Sequence, residues 1–284
     1  MTIKIAINSL EWNIKIFLPD KKSLSFFCNV FSCYDLSFSS DKDNADCIVE
    51  LCNDPMKYNL KFTKNNTYFE KRSIEEIYVA ICVYLFNLKN YYNENCWILH
   101  GAAFIYKKQT CLIIGPTHSG KSTLITQLIS QKGVKYITDD SIVFDKKTLS
   151  IIPFPKPINL RDVDCVYDFI NHNHIYKANN KLLKTYVYNP TNAIFLDKIN
   201  CININIFVLN RKKEIRNISI QDIGNVEQFL EILLNSFRTQ FSENYNIASK
   251  LLNQTQSMFK VNYRNKTEAL ELVFSKLDTT GLRQ

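Results

Sequence analysis

Residues 115–122 constrain the fold of this chain more than any other segment of its sequence. The segment reads Gly-Pro-Thr-His-Ser-Gly-Lys-Ser, with four residues between the two glycines and lysine and serine directly after the second. An apolar run at 111–114 precedes it, and residues 123–131 have a helical pattern that ends just before Gly133. Because glycine permits backbone angles that other residues resist, the segment predicts a tight loop between a buried strand and a helix.

This order of strand, glycine loop and helix is typical of a phosphate-binding loop. Backbone N–H groups at the start of a helix can surround phosphate oxygens. Lys121 would then lie against the β and γ phosphates, Ser122 would coordinate Mg²⁺, and Thr123 could reach the α phosphate. We therefore predict binding of ATP and Mg²⁺ through Gly115, Pro116, Thr117, His118, Ser119, Gly120, Lys121, Ser122 and Thr123.

The strand before this loop is predicted to belong to an antiparallel hairpin. Residues 98–106 form one extended run and 111–114 another, with only 107–110 between them. A parallel crossover needs about a dozen residues or more. A connection of four residues therefore joins antiparallel strands. Other short strands are predicted at 135–138, 142–144, 149–152 and 201–209, and three helices at 226–237, 245–256 and 267–277.

Two adjacent carboxylates, Asp139 and Asp140, follow the predicted strand at 135–138. They stand 18 and 19 residues after Lys121, which leaves room for a helix, a turn and a strand that return the chain to the loop. One carboxylate could then hold Mg²⁺ while the other accepts a proton from an incoming hydroxyl. Alternatively, the pair only begins a turn. His100 stands 15 positions before Gly115, on the first strand of the hairpin.

Together, these features resemble the HPr kinase/phosphorylase family and its wider relatives, which include kinases that modify ribosomal peptides such as lasso precursors. The resemblance rests on His100-Gly101, the loop at 115–122 and the aspartate pair, and it covers residues 97 to about 162. It implies an α/β fold with a P-loop kinase core of the HPr kinase/PEP carboxykinase type and a mixed sheet. It also implies Asp139 as the base, Asp140 as a metal or orientation partner and His100 as an assisting group.

After the aspartates the sequence departs from the bifunctional members of that family. Their glycine-rich signature is replaced by Pro-Phe-Pro-Lys-Pro-Ile-Asn-Leu-Arg at 153–161, so the resemblance does not extend to the phosphorylase reaction or to HPr as the substrate. This proline-stiffened loop carries Lys156 and Arg161, which could hold the substrate or the transferred phosphoryl group. Alternatively, the loop is only a rigid surface connection.

Residues 1–95 are predicted to form a β-rich region closed by a helix, separate from a catalytic region at 96–284. Alternating runs at 3–7, 12–18 and 58–62 predict strands. Ser73 and Glu76 predict a capping box at the start of a helix that ends near Asn90. This first region would recognise the substrate or support homo-oligomerisation.

Composition narrows the classes of partner. The longest uncharged apolar stretch, 77–88, is shorter than the ~20 residues that cross a bilayer, so we expect a cytoplasmic protein with no membrane partner. The net charge is +8, and the sequence has no block of five consecutive basic residues. This charge distribution suits an acidic or phosphate-bearing partner better than nucleic acid. Nine cysteines without a Cys-x-x-Cys pair predict reduced thiols.

These patterns predict an ATP-dependent kinase that phosphorylates a Ser or Thr hydroxyl on a peptide or protein, including a ribosomally made precursor peptide. Two alternatives stay open, namely a kinase for a small alcohol and a nucleotide-binding switch or simple NTPase. The sequence has neither the Asn-Lys-x-Asp motif of guanine-nucleotide proteins nor the Gly-Gly signature segment of transporter ATPases.

Overall fold

The computed structural model of the chain describes residues 1–7, 12–32, 34–54, 57–63, 67–82, 94–161, 166, 175–179, 184–190, 198–201, 203–211, 214, 217–236 and 241–280. These residues form a mixed α/β fold with both parallel and antiparallel strand pairs. The chain divides into two compact units. The first comprises Met1–Tyr92, Asn159–Val163 and His172–Thr191, and the second comprises Asn93–Ile158, Asp164–Asn171 and Asn192–Gln284.

The secondary-structure elements are numbered in chain order. The strands are β1 (Thr2–Ile7), β2 (Trp12–Phe17), β3 (Asp35–Ser39), β4 (Cys47–Leu51), β5 (Tyr58–Phe62), β6 (Tyr68–Arg72), β7 (Cys96–Leu99), β8 (Gly101–Tyr106), β9 (Gln109–Ile114), β10 (Val134–Thr138), β11 (Ile142–Asp145), β12 (Ile151–Ile152), β13 (Ile158–Leu160), β14 (Ile175–Asn179), β15 (Lys184–Tyr188), β16 (Ile204–Arg211), β17 (Ser219–Asp222) and β18 (Thr255–Tyr263). The helices are α1 (Lys21–Val30), α2 (Ile74–Ile81), α3 (Lys121–Ile129), α4 (Asn225–Asn235), α5 (Phe241–Gln254) and α6 (Lys266–Thr280).

The first unit contains a six-stranded sheet in the order β3-β1-β2-β4-β5-β6. The strands expected at 3–7, 12–18 and 58–62 are present as β1, β2 and β5, and the capping box of Ser73 and Glu76 begins α2. The expected end of that helix near Asn90 lies outside the described residues. Helix α1 was not predicted, because its residues have weak helix propensity and burial of Phe27 and Val30 stabilises it instead.

The second unit is organised by a mixed sheet in the order β10-β8-β9-β16-β18-β17. Strands β8 and β9 form the expected antiparallel hairpin, with Lys107 and Lys108 in its turn at φ of 46° and 69°. Strand β9 then pairs in parallel with β16, and β16 in parallel with β18. Because β9, β16 and β18 are parallel, their carboxyl ends share one edge of the sheet.

The three expected C-terminal helices are present as α4, α5 and α6.

The single strand expected at 98–106 is divided in the structure, and His100 lies at the division. Strand β7 pairs with β11 in a three-stranded sheet of order β12-β11-β7, whereas β8 pairs with β9 and β10. The prediction that His100 lies on the hairpin strand was therefore wrong. The strands before and after His100 are both buried, so both have apolar sequences. An uninterrupted apolar pattern therefore does not show where the chain passes from one sheet to another.

Among the residues that the structure describes, no helix is both long and apolar enough to span a lipid bilayer.

We expect Gly101→Ala to destabilise the protein by about 1–3 kcal/mol, because the new methyl group has no room. A Cβ atom at Gly101 would lie 2.5 Å from the carbonyl oxygen of Ile113 in the neighbouring strand. Gly224→Ala is the steric control, since a Cβ atom there would meet nothing within 4 Å. Gly224 is the N-cap of α4, so this variant should lose at most about 1 kcal/mol. Urea unfolding of both variants measures the difference, and equal stabilities would contradict the steric account.

Candidate active site

Strand β9 ends in the loop 115–120, and α3 begins directly after it. Gly115 has φ of 140° and Gly120, the N-cap of α3, has φ of 90°. A Cβ atom at Gly115 would lie 2.7 Å from the carbonyl oxygen of Leu209, and one at Gly120 would lie 2.8 Å from the hydroxyl of Tyr263. Both positions therefore require glycine for conformation and for space, so the loop has a built shape rather than being a plain turn.

Two side chains from distant parts of the sequence hold this loop. The Oδ1 atom of Asn235, the last residue of α4, accepts a hydrogen bond from the Gly115 N–H at 3.1 Å. The hydroxyl of Tyr263, the last residue of β18, donates to the carbonyl oxygen of Ser119. The sequence analysis missed both residues. They lie 120 and 144 positions from their partners, and no local pattern marks such a contact.

Lys121 is turned into the loop. Its ammonium group is 2.8 Å from the carbonyl oxygen of Gly115 and 3.0 Å from that of Pro116, and the residue is only 8% exposed. Burial lowers the pKa of Lys121, whereas the nearby charges of Asp139 and Asp140 oppose that shift. The ammonium group thus already lies at the loop, held by weak carbonyl acceptors that a phosphate oxygen could replace.

The middle of the predicted loop is accessible, whereas Ser119 is buried. Pro116, Thr117 and His118 are exposed, and Ser122 and Thr123 are half-buried at the start of α3. His118 adopts φ of 70°. The exposed residues leave one side of the loop open to a ligand.

Asp139 lies at the buried end of β10, beside the start of α3. It is 3% exposed, and the hydroxyl of Ser122 is within hydrogen-bonding reach of its carboxyl group. Its Oδ1 atom is buried and has no hydrogen-bond partner in the described part of the chain. Burial, together with repulsion from Asp140, raises the pKa of Asp139 to about 6, although Lys156 and Ser122 oppose the shift.

Asp140 directly follows Asp139 and has a backbone φ of 70°. Its side chain is 43% exposed, and its Oδ2 atom accepts a hydrogen bond of 2.8 Å from the Lys156 ammonium group. The positive charge of Lys156 holds the pKa of Asp140 below its ordinary value despite the partial burial. The two neighbouring carboxyl groups therefore differ in solvent access and in the direction of their pKa shifts.

His100 packs against Asp140. Its Nδ1 atom is 2.9 Å from the main-chain oxygen of Asp140 and 3.5 Å from Oδ1 of that carboxylate. Burial lowers the pKa of His100 and Lys121 adds to the effect, so the ring is neutral near pH 7. Because a carbonyl oxygen only accepts, Nδ1 carries the hydrogen in this arrangement and Nε2 carries the lone pair.

The proline-stiffened loop contributes Lys156 to this cluster. Lys156 is 3% exposed, and the Tyr136 hydroxyl donates a 2.8 Å hydrogen bond to its main-chain oxygen. The side chain is thus fixed behind Asp140 and not presented on the surface. Arg161 is exposed and belongs to the first unit.

The groups at this site fit a polyphosphate with Mg²⁺. Ser119 Oγ and Asp139 Oδ1 are buried without hydrogen-bond partners among the described residues, so both have unused hydrogen-bonding capacity. Ser122 and Asp139 offer oxygen ligands, which Mg²⁺ prefers. In the described part of the chain no three His, Cys, Asp or Glu side chains converge on a metal position. Mg²⁺ would therefore take its remaining ligands from phosphate and water.

No protein-family model matches the chain, and no curated protein is similar to it in sequence. Among solved structures, the Hpr(Ser) kinase/phosphatase from Coxiella burnetii is similar over 66% of this chain and 94% of its own, with 13% sequence identity and a TM-score of 0.31. At that identity and TM-score, the similarity assigns no activity.

We expect Asp139→Asn to stabilise the ligand-free protein at neutral pH. A folded-state pKa of about 6, raised from 3.8, means that the folded state binds the proton more tightly than the unfolded state does. The wild-type protein therefore loses stability as the pH rises between these two values, by roughly 3 kcal/mol in all.

The free energy of unfolding, measured in urea from pH 3.5 to 8, should show the gain in Asp139→Asn above pH 6 and little difference below pH 4. Asp222→Asn is the control, because the Asp222 side chain is 76% exposed. A variant that is less stable than wild type at every pH would refute the claim that ionised Asp139 is an energetic cost.

Proposed function

We propose that this protein is an ATP-dependent kinase that transfers the γ-phosphate to a Ser or Thr hydroxyl of a peptide or protein. One observation carries the proposal: two adjacent carboxylates lie beside the loop 115–120 in opposite environments. Asp139 is 3% exposed next to Ser122, whereas the Asp140 side chain is 43% exposed next to His100. A site that only sensed the nucleotide would have no evident use for the second carboxylate. A site that hydrolysed the nucleotide could use it toward water, and the products of the assay below separate hydrolysis from transfer.

The nucleotide would bind at the start of α3. Main-chain N–H groups of the loop would surround the phosphates, and Lys121 would exchange the carbonyl oxygens of Gly115 and Pro116 for phosphate oxygens. Ser122 and Asp139 are the residues that would hold Mg²⁺, and when bound the ion supplies neutralisation of the charge on the phosphate oxygens.

The acceptor hydroxyl would bind at Asp140. Access and ionisation support this assignment, since Asp140 is the more exposed carboxylate and Lys156 keeps it charged. This division of roles is the reverse of the one that the family resemblance implied, with Asp139 as the base and Asp140 as the metal partner. Asp140 would accept the hydroxyl hydrogen and orient the oxygen toward the γ-phosphate, and the His100 lone pair on Nε2 would be a second acceptor. In phosphoryl transfer such positioning contributes more than the strength of the base.

The alternatives predict different products. Incubation with labelled ATP, Mg²⁺ and short serine-containing peptides, followed by mass spectrometry, separates them. A phosphate mass on a peptide supports the proposal, a labelled small alcohol supports a small-molecule kinase, and free phosphate alone supports a simple NTPase.

Lys121→Ala should weaken ATP binding by on the order of 100-fold, because charge-assisted hydrogen bonds to phosphate are lost. Lys135→Ala removes an exposed lysine from β10 and is the control for the loss of one positive charge. Titration with a fluorescent ATP analogue measures both. Wild-type affinity in Lys121→Ala would remove the basis for a nucleotide site here.

Asp140→Asn should reduce phosphoryl transfer by about 10²–10⁴-fold while ATP affinity changes little. Because the substitution leaves the buried Lys156 ammonium group without its anionic partner, the double variant Asp140→Asn/Lys156→Gln, which removes both charges, is measured as well. Asp139→Asn should instead weaken the Mg²⁺ dependence of ATP binding. Full transfer by both Asp140 variants would show that this carboxylate does not engage the acceptor.

A further inference from the structure

Helix α4 exposes an apolar stripe. Val226, Leu230 and Leu234 are 77%, 50% and 79% exposed, and residues four apart lie on one face of a helix. The opposite face is buried through Ile232 and Asn235. An apolar helix face that remains accessible after folding is characteristic of a binding surface. Val226, Leu230 and Leu234 are called the α4 surface below.

The α4 surface has aromatic residues along one flank and two glutamates along the other. On one side it continues onto α5, where the half-exposed ring of Tyr245 packs edge-on against Phe229 with ring centroids 4.9 Å apart. On the other side are Glu227 and Glu231. Glu227 pairs with Lys260 at 2.7 Å. Burial raises the pKa of Glu231, repulsion from Glu227 adds to this, and Lys260 opposes it.

The inner end of the α4 surface meets the candidate active site. Asn235, which directly follows Leu234, accepts hydrogen bonds from the Gly115 N–H at 3.1 Å and, through its main-chain oxygen, from the His100 N–H at 2.6 Å. The stripe extends outward from there for ~12 Å to Val226, at ~1.5 Å per helical residue. A polypeptide in extended conformation covers that length with about four residues.

We propose that the α4 surface docks the polypeptide that carries the acceptor hydroxyl, through two or three apolar side chains and one Lys or Arg that pairs with Glu231. This inference rests on the proposed phosphoryl transfer and specifies its substrate class. A small alcohol has no side chains that would use the stripe. A second copy of α4 is a poorer occupant, because Asn225–Asn235 contains no Lys or Arg to pair with Glu231.

The test uses a synthetic library of short peptides with a fixed serine and randomised neighbours, incubated with labelled ATP and Mg²⁺. Wild type should select Leu, Ile, Val or Phe and one Lys or Arg at set distances from the serine. Leu230→Ser/Leu234→Ser should lose the apolar selection and raise KM for the selected peptide by on the order of tenfold, with kcat and KM for ATP unchanged. Glu231→Gln should lose only the basic selection.

Leu51→Ser is the matched control, because Leu51 is 56% exposed and belongs to the first unit. Transfer without selection, or with selection unchanged in the double variant, would overturn the docking site and leave the kinase proposal intact. Nucleotide turnover without any labelled peptide would overturn the kinase proposal and the docking site together. Sedimentation should give the same mass for wild type and the double variant, and a lower mass for the variant would assign the α4 surface to a second copy instead.

Discussion

Close packing of the loop 115–120 against the ends of two strands is the constraint on which the site depends. The carbonyl oxygen of Leu209 and the hydroxyl of Tyr263 occupy the space that side chains at Gly115 and Gly120 would need. The parallel order of β9, β16 and β18 brings these three elements to one edge of the sheet. A sheet with this register fixes the loop, and the loop in turn fixes where α3 begins and where Lys121 and Ser122 lie.

Asp139 and Asp140 are adjacent in sequence but lie in different electrostatic environments. Asp140 has a backbone φ of 70°, and its carboxylate has different neighbours from that of Asp139. Asp139 remains among buried groups, where ionisation is costly, while Asp140 gains an ammonium partner and access to solvent. The cost of ionising the buried Asp139 carboxyl group therefore remains in the ligand-free fold, whereas the Asp140 carboxylate is stabilised by its Lys156 partner. In the proposed reaction, Asp139 would hold Mg²⁺ and Asp140 would engage the alcohol.

Asn235 connects the two parts of this arrangement. Its side chain holds the first glycine of the loop, and its main-chain oxygen holds the chain at His100, where β7 gives way to β8. Since it also ends α4, a ligand on the exposed face of that helix would lie one residue away from both contacts. Asn235 thus contacts both the loop 115–120 and the backbone at His100, and it lies next to the proposed docking surface.

The sequence by itself determined the loop, the hairpin before it, the short strand before the aspartates and the three C-terminal helices, because each follows from local patterns of glycine, apolar period and chain length. It also marked Lys121, Ser122, Asp139, Asp140 and His100. Only the tertiary structure decided the sheet change at His100, the contacts of Asn235 and Tyr263, and the burial of Lys156 behind Asp140. These features join residues far apart in the chain, and burial and charge depend on what the fold brings together, which a local pattern does not encode.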